Sequence, residues 1–157
     1  MKKLLLSIIA IALFSVVSHA QDYKTAIGIR GGYPANGLTV KQFMNERNAL
    51  EGILATSYNG FVVTALYENE HWTGHYPGLN WFWGFGAHVG FWGDDNNYDL
   101  TDNYVGAVLG ADFILGLEYT FDEIPLNLSL DLIPSVNLIG HSGFGGLFSG
   151  LSIRYAF

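Results

Sequence analysis

The side chains of this chain that are able to do chemistry are scattered singly: Arg30, Lys41, Glu51, Glu68, His88, Asp112, Glu118, Asp131 and Arg154. Most sit between apolar or glycine neighbours, and the alternation around them places all nine on one common side of extended segments. Five acids facing Arg30, Lys41, Arg154 and His88 inside a narrow fold would form an ion-pair network, because a buried charge left alone costs several kcal/mol. The primary expectation is a structural plug of paired charges. The alternative is a gated proton or ion path. The excess of acids calls for water, a cation or retained protons among them.

Other constellations carry less. His71 and His75 have the i, i+4 spacing that binds metal on a helix, but Trp72, Tyr76 and Pro77 around them favour an aromatic turn. Trp81 and Trp83 read as interfacial girdle residues rather than a sugar platform. Gly84, Gly86 and Gly90 give GxGxxxG spacing inside a strand with no following helix, which is not a dinucleotide loop. Asp94, Asp95, Asp99 and Asp102, with Asn96, Asn97 and Asn103, make an acidic stretch without EF-hand spacing, so a solvated loop is expected before a cation site. His141 and Ser142 are adjacent, with no orienting acid in view. The expectation is therefore no catalytic residues, no metal and no cofactor.

The elements that would hold the nine charged residues are strands. In Leu151 to Phe157 apolar residues fall on every odd position, with Ser152, Arg154 and Ala156 between them. Leu126 to Leu138 repeats this, with an irregularity expected at Pro134. Leu109 to Phe121 does so too, Ile114 being an exception on its polar face. Looser alternation runs over Trp81–Trp92, Phe61–Glu68 and Ile27–Arg30, and weaker segments over Leu38–Met44 and Ala49–Thr56. The sum is eight strands with one apolar face. The connections expected are Asn45–Asn48, Asn69–Gly78, Gly93–Asn103, Asp122–Pro125 and a Gly-rich loop at Ile139–Gly146. Recurrent glycines on the polar face (Gly28, Gly84, Gly86, Gly90, Gly110, Gly116) suit a narrow interior holding bulky partners.

Residues 1–20 read as a cleaved Sec-type signal peptide: Lys2 and Lys3, an apolar run from Leu4 to Val17, then Ser18-His19-Ala20. Removing 20 of the 157 residues leaves 137, one domain over residues 21–157. It then carries 5 Lys+Arg against 14 Asp+Glu, a net charge of about −9. That excludes nucleic acid as a partner, since phosphate contacts need Lys and Arg. The chain has no Cys, so burial and hydrogen bonding alone must hold it. Half of it is hydrophobic, 15% aromatic and only 13% charged, against about 25% charged in ordinary globular chains. After residue 20 no apolar run is long enough for a spanning helix. An exported apolar chain of alternating strands has one good membrane solution, a closed barrel. Alternation alone leaves open the reverse arrangement, a soluble periplasmic lipocalin-like barrel around an apolar cavity.

The final Leu151, Ile153, Tyr155 and Phe157, with Phe at the C-terminus, resemble the terminal signature of outer-membrane barrels. The resemblance implies that the barrel-assembly machinery reads this last strand as an insertion signal. The strand layout resembles the small eight-stranded family of the OmpA membrane domain and OmpX-like proteins. Gly116-Leu117-Glu118-Tyr119 and Leu130-Asp131-Leu132-Ile133-Pro134 are similar to uncharacterised small barrels of Bacteroidetes-type bacteria. The fold implied is an all-β, eight-stranded up-and-down transmembrane barrel in the outer membrane. Its partners would be outer-membrane lipid and lipopolysaccharide, with a structural or loop-binding role and a surface partner the sequence does not name. Lipid A deacylases resemble the chain in fold, which makes a lipid-modifying hydrolase using His141 and Ser142 a second expectation.

Overall fold

The computed structural model describes residues 24–57, 60–93, 106–140 and 142–157. Strands β1 (Thr25–Tyr33), β2 (Asn36–Phe43), β3 (Asn48–Ser57), β4 (Gly60–Trp72), β5 (Leu79–Trp92), β6 (Gly106–Thr120), β7 (Leu126–Ile139) and β8 (Gly143–Ala156) follow one another in chain order. Each pairs antiparallel with the next, and β8 pairs with β1 from Ala26↔Ala156 to Tyr33↔Ser149. The sheet is therefore a closed barrel, and closure leaves no edge strand with unpaired backbone groups. Thr25 and Phe157 exchange backbone hydrogen bonds of 3.1 and 2.9 Å, so the two ends of the sheet meet at one rim. We call this the terminal end and the opposite rim the loop end.

Period-2 patterning produces two chemically opposite faces. Ile29, Phe85, Leu117, Leu130 and Leu151 point outward and are at least half exposed. Arg30, Lys41, Glu51, Glu68, Asp112, Glu118, Asp131 and Arg154 point inward and are buried. An ordinary soluble fold hides the first set and shows the second.

Large inward side chains fit because small residues face them. A Cβ on Gly150 would run into the Arg30 guanidinium, and one on Gly116 would lie 2.5 Å from the Phe82 ring. Those glycines are there for close approach rather than for flexibility.

Several boundaries differ from the sequence expectation. Asn69, Glu70, His71 and Trp72 extend β4 instead of forming a connection, which shrinks the expected loop 69–78 to residues 73–78. Their side chains pair across to β5, with Asn69↔Trp83 and His71↔Trp81, and that pairing outweighs their polar character. The expected Gly-rich loop 139–146 is mostly strand, because β8 already begins at Gly143. Met44 lies beyond β2 rather than inside it. Next to Pro134, the β7–β8 register shifts between Ser135 and Val136. An irregularity there suits a residue with no N–H for the ladder.

Candidate functional site

The bore is layered along its axis. Nearest the terminal end lies a dense ionic layer built from β2, β3, β4, β6, β7 and β8. Lys41 Nζ is 2.9 Å from Glu68, 2.5 Å from Glu70 and 2.7 Å from Glu118. The ammonium also stands 4.5 Å from the centroid of the Phe82 ring, a cation–π contact.

Arg154 is fully buried and directs its donors to five partners. Its Nε donates to Thr39 Oγ1 at 3.2 Å, and its Nη1 donates to Ser129 Oγ at 2.9 Å and Asn127 Oδ1 at 3.1 Å. Nη1 also reaches Glu118 at 3.5 Å, while Nη2 donates to Glu51. The Thr39 hydroxyl donates to the same Glu51 oxygen. An arginine suits this place because its planar fork carries five donors in fixed directions. The layer sets four carboxyl groups (Glu51, Glu68, Glu70, Glu118) against two cations (Lys41, Arg154).

Above it comes an apolar layer of Ile53, Leu66, Phe82, Ile114 and Ile133, all buried. Ile114, the exception to alternating polarity in its strand, belongs to this layer.

Two further polar groups line the bore: Arg30 with Asp131, which lies on the terminal side of Ile133 in β7, and His88 with Asp112, nearer the loop end. Arg30 makes a bidentate pair with Asp131, both oxygens at 2.5 Å. His88 Nδ1 faces Asp112 at 2.9 and 3.0 Å, and His88 Nε2 faces Asn137 Oδ1 at 3.0 Å. Ser135 Oγ donates to Asp112 at 2.5 Å.

The nine charged residues singled out from the sequence thus all line the interior, with His88 and Asp112 on the loop side of Phe82 and Ile114 in their strands. Sequence reasoning missed Glu70, Thr39, Asn127 and Ser129. Continuing the alternation of Glu68 by two residues would have found Glu70; the three neutral ones carry no signal beyond their parity.

The remaining candidates are dispersed. His71 stacks on Trp81 with ring centroids 4.5 Å apart and accepts a hydrogen bond from Trp83 Nε1 at 3.2 Å. His75 lies in the following turn, its Nδ1 3.1 Å from the Thr73 carbonyl. His71 thus joins an outward aromatic cluster, His75 does not, and the two form no metal-ligand group among the described residues. Leu151 and Ile153 are exposed on the outer surface, Tyr155 is half-buried, and Phe157 closes the strand with its ring 6.2 Å from that of Tyr155. The acidic stretch 94–103, His141 and the signal segment 1–20 lie outside the described residues. Ser142 is exposed at the loop end.

No family model and no curated protein matches the chain. Among solved structures, the N-terminal β-barrel domain of Pseudomonas aeruginosa OprF matches with a TM-score of 0.65. The match covers 85% of this chain and 94% of that one at 17% sequence identity. At that identity the likeness is one of fold. The chain folds as an all-β, closed eight-stranded antiparallel barrel, and the OprF domain is similar to it in that fold.

Proposed function

We propose that this chain is an integral outer-membrane barrel with a blocked bore, a structural element that presents its loop end at the cell surface. The observation that carries this reading is the inverted polarity of the wall. Leu, Ile, Val and Phe are exposed around the outside, while every described charged side chain of the strand interiors is turned into the bore. An exposed apolar surface of that extent is stable against lipid tails and unstable in water. The OprF barrel domain supports the same setting by fold. Both ends of the sheet would lie on the periplasmic side, with the short turns at residues 44–47, 73–78 and 121–125 beside them. Outer-membrane lipid and lipopolysaccharide would contact the wall, and the assembly machinery would read Leu151, Ile153, Tyr155 and Phe157.

A bore filled by side chains does not serve as a general diffusion pore, which takes wider barrels. Ser135, His88 and Asp112 do come together, but the Ser135 hydroxyl donates to Asp112 and His88 Nε2 faces Asn137, so the histidine is not placed as a base for the serine and the hydrolase reading gains no support from this group. A lipocalin-like arrangement would show a polar outer face to water, and here the exposed outer face is the apolar one.

Membrane fractionation followed by gels of boiled and unboiled samples tests the proposal. The expected result is recovery with the outer membrane and a faster band before boiling. Recovery as a soluble periplasmic protein with no mobility shift would overturn it.

A further inference from the structure

Above the apolar layer the bore widens into a chamber of about 90 Å³. Its walls combine the buried Ile53, Ala55, Val62 and Ile133 with the half-exposed Trp92 and Phe148. Leu66, Phe82 and Ile114 belong to the same buried apolar cluster as Ile53 and Ile133. Among the hydroxyl side chains on its wall, Ser135 is bonded to Asp112, whereas Thr64, beside Val62 and Ile53, and Ser149 make no side-chain hydrogen bond to another described residue. Concave, mostly apolar walls with a few convergent polar groups are the general character of small-molecule sites.

The chemistry of the wall narrows the occupant. Arg30 is held in a bidentate pair by Asp131, and Asp112 is held by His88 and Ser135. Neither an anion nor a cation finds a free counter-charge there, and a charged ligand would lose its hydration without replacement. The volume is of the order of the engineered apolar cavity known to take up one benzene ring in another protein, which excludes long chains. An apolar body set against Ile53, Ala55, Val62 and Ile133 leaves water for apolar surface, which favours its binding.

We infer that this chamber is a binding site for a small uncharged amphiphile: an apolar body of about one ring on Ile53, Val62 and Ile133, with one hydroxyl-like group reaching Thr64. The site goes beyond the membrane assignment and does not depend on it, because the chamber lies inside the barrel wherever the barrel resides.

Benzyl alcohol serves as the probe, titrated into the folded protein in lipid nanodiscs with the isoleucine methyl groups labelled for NMR. Ile53 and Ile133 report the chamber. Ile29 and Ile153, exposed on the outer wall, report partitioning into lipid. The expected result is saturable shifts at Ile53 and Ile133 beside small, linear ones at Ile29 and Ile153. Thr64→Val should weaken binding about fivefold, the scale of one neutral hydrogen bond. Ala55→Phe should fill the space and abolish saturation. Shifts that rise linearly and alike at all four methyls, or saturation that survives Ala55→Phe in a folded barrel, would overturn the inference. If Ala55→Phe does not fold, an unchanged affinity in Thr64→Val overturns it alone.

Discussion

Replacing Arg154 by alanine should destabilise the barrel more than any other single truncation in the bore. The guanidinium is fully buried and serves Thr39, Glu51, Glu118, Asn127 and Ser129 at once. The consequences are unequal. Glu118 keeps Lys41 at 2.7 Å, so its charge stays paired. Glu51 keeps the Thr39 hydroxyl but loses the cation it pairs with, and becomes a stranded buried carboxylate. Stranding one member of a buried pair costs about 3–5 kcal/mol. At the urea slopes usual for small proteins, about 1–3 kcal/mol per molar, the unfolding midpoint should fall by roughly 1 M or more. Densitometry of the unboiled folded band against urea concentration, in lipid vesicles, measures this. Arg154→Ala combined with Glu51→Gln should recover a substantial part of the loss, since the stranded charge is gone; coupling between direct partners runs at about 0.5–3 kcal/mol. An Arg154→Ala midpoint equal to that of the unaltered protein would refute the reasoning. Equal losses in the single and double variants would show that the cost lies in packing rather than in the charge.

Other perturbations separate the same physics at other sites. Glu68→Gln should leave stability unchanged or raise it, because Lys41 retains Glu70 and Glu118 and one of four crowded carboxylates is neutralised; a loss above about 2 kcal/mol in the same urea assay would contradict the charge count. Gly150→Ala should cost about 1–3 kcal/mol by displacing Arg30 from Asp131, whereas Gly52→Ala, where a Cβ meets nothing within 4 Å, should not destabilise. Indistinguishable urea midpoints for these two would remove close packing as the reason for the inward glycines. Leu132→Arg, on the outer wall near the middle of β7, should cost about 2–4 kcal/mol if lipid surrounds it; a variant of unchanged stability and improved solubility would reverse the assignment of faces. Removal of Phe157 should lower the yield of folded protein in the outer membrane while leaving refolding of purified chain into vesicles nearly intact, and normal membrane yield would remove the terminal residue from the insertion signal.

Parity is the property that the order of amino acids settles without any folding. Alternation at Leu126–Leu138, Leu109–Phe121 and Leu151–Phe157 names two faces, and the side-chain period of a strand lets no residue belong to both. That sufficed for the strand number, the all-β class and the inward set of nine charged residues. Element ends were harder to read. Asn69 to Trp72 look like a polar connection, and only cross-strand pairing with β5 residues up to Trp83 keeps them extended. Height along the bore was not readable at all. Strands in a barrel are tilted and staggered, so neighbouring positions depend on the register of every pair between them. The stagger brings Lys41 beside Glu118, 77 residues away, and Arg30 beside Asp131, 101 residues away. It also gathers Ile53, Leu66, Phe82, Ile114 and Ile133 from five strands into one apolar layer. Each of these looks like an isolated exception along its own strand. Which charges become partners is decided only when the sheet closes, because level along the bore is a property of register summed around the barrel and parity carries no information about it.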